Sequence, residues 1–76
     1  MSKPIELDAR GLQCPMPLLK LKQQLNQMQA GDYIEVKTTD AGSVRDFNAF
    51  TQQVGHKLHR QTEQDGEFLF LIEKAQ

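Results

Sequence analysis

Two prolines one residue apart, Pro15 and Pro17, fix where the first helix of this chain can begin. A proline ring holds φ at about −65° and lacks an N–H, so it suits the first turn of a helix and obstructs later ones. The spacing predicts a helix that opens at Pro15, tolerates Pro17 in its first turn and takes Cys14 as its capping residue. Cys14 is the only cysteine. A sulfur at that place feels the positive end of the helix dipole, which favours the thiolate and predicts a depressed thiol pKa. A lone cysteine is often inert core, since free Cys is among the most buried residue types. A core position would not call for two flanking prolines, so Cys14 reads as one rigidly presented nucleophile.

From Pro15 onward, Leu18, Leu21, Leu25 and Met28 recur at helical spacing, and Gly31 offers a left-handed stop. The helix is expected to run from Pro15 to Gln29 or Ala30. Before it, Ile5 and Leu7 alternate with Glu6 and Asp8, a short strand ending near Asp8. After it, Tyr33-Ile34-Glu35-Val36-Lys37 alternate again, a strand over Asp32 to Thr38. Strand, helix and strand in this order make a parallel, right-handed unit. Both loops that follow its strands then share one sheet edge, so Thr39-Asp40-Ala41-Gly42-Ser43 is expected close to Cys14. In such folds the crevice beyond the carboxyl ends of the strands is where ligands bind.

A second helix starts here, capped by Asp40 or by Ser43, with Asp46 completing a capping box in the latter case. Val44, Phe47, Thr51 and Val54, with Phe50 beside them, form its buried stripe. Gly55 ends it, and His56 is expected to satisfy its last carbonyls. Lys57 to Glu63 reads as a polar edge strand with Leu58 inward. Asp65-Gly66 is a turn, and Phe68-Leu69-Phe70-Leu71-Ile72 is an apolar strand interior to the sheet. The pattern is βαβαββ: an α+β two-layer sandwich, a four-stranded mixed sheet with two helices on one face, forming a single domain over 1–76. Two helices cover one face only. Either Leu69 and Leu71 or Phe68, Phe70 and Ile72 must therefore face away, covered by neighbouring side chains or meeting a partner.

A chain of 76 residues has one small core, and one cysteine rules out an internal disulfide, so stability rests on packing. A net charge of −1 and a pI near 6.0 argue against direct nucleic-acid binding, which needs a basic surface. Met1-Ser2-Lys3-Pro4 has no apolar run behind it, and no stretch approaches the roughly 20 apolar residues of a membrane span. No membrane association is expected, and an unpaired thiol fits a reducing cytoplasm. His56 and His59, three apart on a strand, point to opposite faces and do not share an ion, so no metal and no cofactor is expected. Arg10, Lys20 and Lys22 lie on or near the cysteine loop and its helix, available to attract acidic partners or to favour an anion.

With Cys14 placed on this pattern, the sequence resembles the TusA family of small sulfur carriers, also called SirA-like. The resemblance runs through Leu7-Asp8, Gly11-Leu12, Cys14-Pro15-x-Pro17 and Gly31-Asp32. It continues through Asp40, Arg45-Asp46-Phe47, Phe50, Gly55-His56 and Asp65-Gly66 to Ile72 and Lys74. Ala41 departs from it, standing where many members have proline. The resemblance implies a cytoplasmic sulfurtransferase that accepts persulfide sulfur on Cys14 from a cysteine desulfurase and passes it to an acceptor protein. In one branch that route ends in 2-thiouridine of tRNA. Asp40 matches the family acid near the cysteine, and Arg45 and Asp46 become candidates for partner docking.

The residues themselves suit that chemistry. Sulfur exchange needs an attacking thiolate and access. Lacking a second cysteine, this chain has no internal disulfide with which to expel its sulfur, so the resolving group belongs to the acceptor. Asp40 reads either as a helix cap or as a charge beside the thiol that raises its pKa or orients a partner group. Three competing readings remain: a regulatory or protein-binding module in which Cys14 is incidental, a thiol peroxidase, and an RNA binder. The second finds no evident acid or base near Cys14 in the sequence. The single Tyr and acidic pI weigh against the third.

Overall fold

The structure is a computed structural model that describes residues 3–75. Met1, Ser2 and Gln76 lie outside the described residues, and with them half of the N-terminal stretch considered above. The elements are β1 (Ile5–Ala9), α1 (Met16–Leu25), β2 (Tyr33–Thr38), α2 (Gly42–Val54), β3 (Lys57–Gln64) and β4 (Glu67–Glu73). The strands form one mixed sheet in the order β1-β2-β4-β3. β1 and β2 are parallel, and β4 runs antiparallel to β2 on one side and β3 on the other. The apolar strand is interior and the polar one is an edge, as expected.

Pairing decides which β4 side chains face the helices. Ile34 opposes Ile72 and Val36 opposes Phe70, and these four are fully buried with Ala9, Leu21 and Phe47. The Phe47 and Phe70 rings meet at 4.6 Å, joining α2 to the sheet. The other face carries Leu69 beside Lys37 and Thr62, and Leu71 beside Glu35 and Arg60. Both leucines are half-buried. On this open face Arg10 grips Asp8 with two bonds of 2.9 Å and reaches toward Glu67 at 3.6 Å. The guanidinium holds the Asp8 carboxyl down at about 2.

Two expectations about helix ends and one about the buried stripe of α2 are corrected. α1 stops at Leu25 rather than near Gln29; the Gln29 N–H goes to Asp32 Oδ2 at 3.0 Å instead of continuing the helix, and Lys74 Nζ binds the carbonyls of Leu25 and Met28, each at 2.7 Å. The backbone tightens there, with Gln27 N–H bonding Gln24 O and Met28 N–H bonding Leu25 O, yet Met28 stays buried. α2 ends at Gly55 as expected, with φ 97°, but His56 does not cap it. Its Nδ1 accepts the Ala75 N–H at 3.0 Å, and its ring lies against Phe50. The buried stripe of α2 is Ser43, Phe47 and Thr51; Val44 and Phe50 are half-buried and Val54 is exposed. His59 sits where a bulge between Leu58 and Arg60 shifts the register, and it pairs with Glu73 on the open face.

Candidate functional site

Parallel β1 and β2 deliver the loops before α1 and α2 to the same edge of the sheet. Side chains of the second loop bind the backbone of the first: Gly11 N–H donates to Thr39 Oγ1 at 2.8 Å, and Cys14 N–H donates to Asp40 Oδ2 at 2.6 Å. Asp40 Oδ1 also receives the Gly42 N–H at 3.2 Å, so one carboxylate joins the cysteine loop to the start of α2. Beneath it, Ser43 Oγ donates to Asp40 O at 2.7 Å and meets buried Thr38 Oγ1 at 2.6 Å. With the Ser43 proton committed to that carbonyl, Thr38 is the donor to Ser43. Gly42 packs directly on the cysteine loop. A Cβ there would meet Cys14 Cβ at 3.5 Å and Asp40 Oδ2 at 3.4 Å, ordinary contact distances.

The cysteine loop itself differs from the expectation. Met16, not Pro15, is the first residue of α1, and Pro15 stands at the cap with φ −97° and ψ 15°. The Cys14–Pro15 bond is cis, and Met16 N–H closes a turn onto Gln13 O at 2.8 Å. Pro17 lies inside the first turn as expected, but buried, so it also anchors the helix start in the core. Cys14 therefore lies one residue farther from the helix than a capping residue would. It is exposed.

Its thiol faces α2 instead. Cys14 Sγ donates to Asp46 Oδ2 at 2.7 Å, while Arg45 Nε lies 3.6 Å from Asp46 Oδ1. The bond to Asp46 holds the thiol protonated, so its pKa is pushed above the ordinary value, with desolvation and the charges of Asp46 and Asp40 adding to the effect and Arg45 opposing it. This corrects the expected depressed pKa. The sulfur does not occupy the helix cap where the dipole would favour a thiolate, and two carboxylates from the second loop and α2 face it. The Ser43–Asp46 capping box does not form either: Ser43 lies inside α2, past the cap at Ala41, and Asp46 binds the thiol. Asp40 rather than Ser43 serves the start of α2, binding Gly42 N–H, and Ala41 holds the cap position with φ −59°. An acid beside the thiol, missing from the local sequence, is supplied across the fold by Asp46.

The site therefore unites Cys14, Asp40, Asp46 and Arg45. It does not recruit the other cations proposed from sequence. Arg10 is engaged on the open face of the sheet, Lys22 lies 5.3 Å over the Phe50 ring between the helices, and Lys20 is exposed on α1. The arrangement offers an accessible sulfur with a carboxylate on it, held between two loops pinned by side-chain hydrogen bonds.

Known proteins share both the sequence and the shape. The family model described as Sulfurtransferase TusA matches residues 5–74. A sulfur carrier protein TusA from Allochromatium vinosum is 50% identical over 70 residues, covering 92% of each chain. A sulfur carrier protein TusA from Pseudomonas putida is 41% identical over 68 residues, covering 90% of this chain and 85% of that one. The crystal structure of a SirA-like protein from Desulfitobacterium hafniense superposes with a TM-score of 0.82 at 24% identity. It covers 95% of this chain and 99% of that chain, a likeness of fold.

Proposed function

This chain belongs to the TusA family of sulfur carriers, and from that premise we propose that Cys14 is the residue that bears the sulfur, as a persulfide. The donor is a cysteine desulfurase charged with a persulfide of its own, and the destination is 2-thiouridine in tRNA, reached through an acceptor protein in the cytoplasm. Loading is an exchange at sulfur. Cys14 Sγ attacks the sulfane sulfur of the donor persulfide, a new S–S bond forms, the donor's S–S bond breaks, and the donor cysteine departs carrying the proton that Cys14 gives up. Discharge repeats the exchange with a thiol of the acceptor as the attacking group. No electrons are gained or lost overall.

The observation that carries this reading is the setting of the only cysteine: exposed, at the loop edge, its backbone fixed by Asp40 at 2.6 Å. Pro15 and Pro17 support it by setting how the chain leaves the site, and Pro17 is buried. A fixed backbone keeps the sulfur in one position while a partner approaches, which lowers the orientation cost of the transfer. Arg45, 82% exposed beside the thiol, is the group of the site best placed for a partner surface. The destination is tested in a bacterial strain whose own TusA gene is deleted. Wild type is expected to restore 2-thiouridine to tRNA, and Cys14→Ser is expected not to. Failure of wild type to restore the nucleoside would remove tRNA as the destination.

A further inference from the structure

We propose that Asp46 is a catalytic residue of the carrier, taking the proton from Cys14 as sulfur arrives and returning a proton to it as sulfur leaves. The inference rests on the persulfide reading above and assigns the proton that the exchange has to move. In loading, the Sγ–H proton passes to Asp46 Oδ2 while Sγ attacks the sulfane sulfur. The donor's S–S bond breaks, and Asp46 then yields the proton to the departing donor thiolate. In discharge, Asp46 receives the proton of the attacking acceptor thiol and gives it to Sγ as the Cys14–sulfane bond breaks. Both steps begin and end with an ionised Asp46 and consume no oxidant or reductant.

Geometry singles out this carboxylate. Asp46 Oδ2 lies 2.7 Å from the sulfur, within the reach required of a general base. Its side chain is only 20% exposed, and Arg45 Nε stands 3.6 Å from its other oxygen, so the reactive oxygen is held toward the thiol. Asp40, the other acid of the site, is occupied by the N–H groups of Cys14 and Gly42. Neither histidine substitutes for it: His56 accepts the Ala75 N–H and His59 is bonded to Glu73. The charged groups facing the thiol are thus Asp46 and Arg45 from α2 and Asp40 from the loop before it.

One carboxylate then has two opposed effects. Its charge disfavours a free thiolate in the resting carrier, while its basicity assists ionisation during transfer. Asp46→Asn separates them, because the amide keeps the shape and loses both the charge and the basicity. Iodoacetamide, which reads the thiolate already present, is expected to alkylate this variant several-fold faster than wild type at pH 7. Single-turnover sulfur transfer from a saturating, persulfide-charged cysteine desulfurase is expected to become about 100-fold slower, the scale of a lost general acid–base group. Asp46→Glu is expected to recover most of the transfer rate. Rates that rise together, a transfer rate at the wild-type level, or a defect that disappears when donor is saturating would each overturn the proposal. If wild type itself takes up no sulfur, the persulfide reading fails instead, and the alkylation comparison still reports whether Asp46 controls the thiol.

Discussion

The two opposite edges of the sheet treat helix ends in the same way and use the result differently. At the edge where α1 and α2 begin, carboxylates gather: Asp40 binds the backbone of Cys14 and Gly42, and Asp46 binds the Cys14 thiol. At the edge where α1 ends, a cation gathers carbonyls instead, Lys74 Nζ closing on Leu25 and Met28. Asp40 and Lys74 follow the helix dipole, an anion at the amino end of α2 and a cation at the carboxyl end of α1, whereas Asp46 lies beyond the first turn of α2 and meets the thiol. At the far edge the side-chain charge meets backbone groups and closes the fold. At the near edge one carboxylate is directed at the exposed Cys14 thiol. Charge is spent on backbone groups at one edge and on a side-chain thiol at the other.

That division is sharpened first by Lys74→Met, which keeps the aliphatic stem and removes the donor. Two carbonyls lose a charged partner, and the variant is expected to lose about 2 kcal/mol in urea unfolding. Its sulfur loading below the unfolding transition is expected to match wild type. A loading defect in folded Lys74→Met protein would break the comparison by tying the far edge to the chemistry. Asp40→Ala tests the near edge. Removing a side chain that serves a helix start is expected to cost about 1 kcal/mol, and here the sulfur-transfer rate should fall as well, because the Cys14 backbone is released. Loss of stability with an unchanged transfer rate would leave Asp40 as a cap alone.

The smallest effect is in pH. Burial, together with the charge of Lys74, lowers the pKa of His56 below its ordinary 6.5, in keeping with a neutral ring that accepts the Ala75 N–H. The unfolded chain therefore takes up this proton at a higher pH than the folded one. Stability is expected to be fully present above about 6.5 and to decline as pH falls through that value toward the folded pKa. Urea midpoints at pH 7.5 and pH 5.5 should differ less in His56→Gln than in wild type (both values are experimental settings, about one unit either side of the free imidazole). Equal slopes in the two proteins would remove His56 from the far-edge network.

The strands and their order were legible because period-two alternation and the Asp65-Gly66 turn are local signals. Phe68 to Ile72 announces an interior strand without reference to any other element. Its outward face was not decidable from β4 alone, since both faces are apolar; the pairing of Leu69 with Lys37 and of Leu71 with Glu35 decides it. The end of α1 was misplaced for a similar reason. Leu25 and Met28 continue the helical stripe, but the lysine that binds their carbonyls lies 49 and 46 residues downstream. The convergence of the two loops was foreseen from parallel topology. The partner of the thiol was not, because Asp46 after Ser43 has the spacing of a capping box. The usable signal was topological: Asp46 lies near the start of α2, at the edge to which the same topology brings Cys14.

Sulfur carriage by Cys14 is read from intact-protein mass after incubation with a cysteine desulfurase and free cysteine. Wild type is expected to gain the mass of one sulfur atom, lost again on reduction, while Cys14→Ser gains nothing. A reductant-labile sulfur on both proteins, or on neither with several desulfurases, would contradict the account.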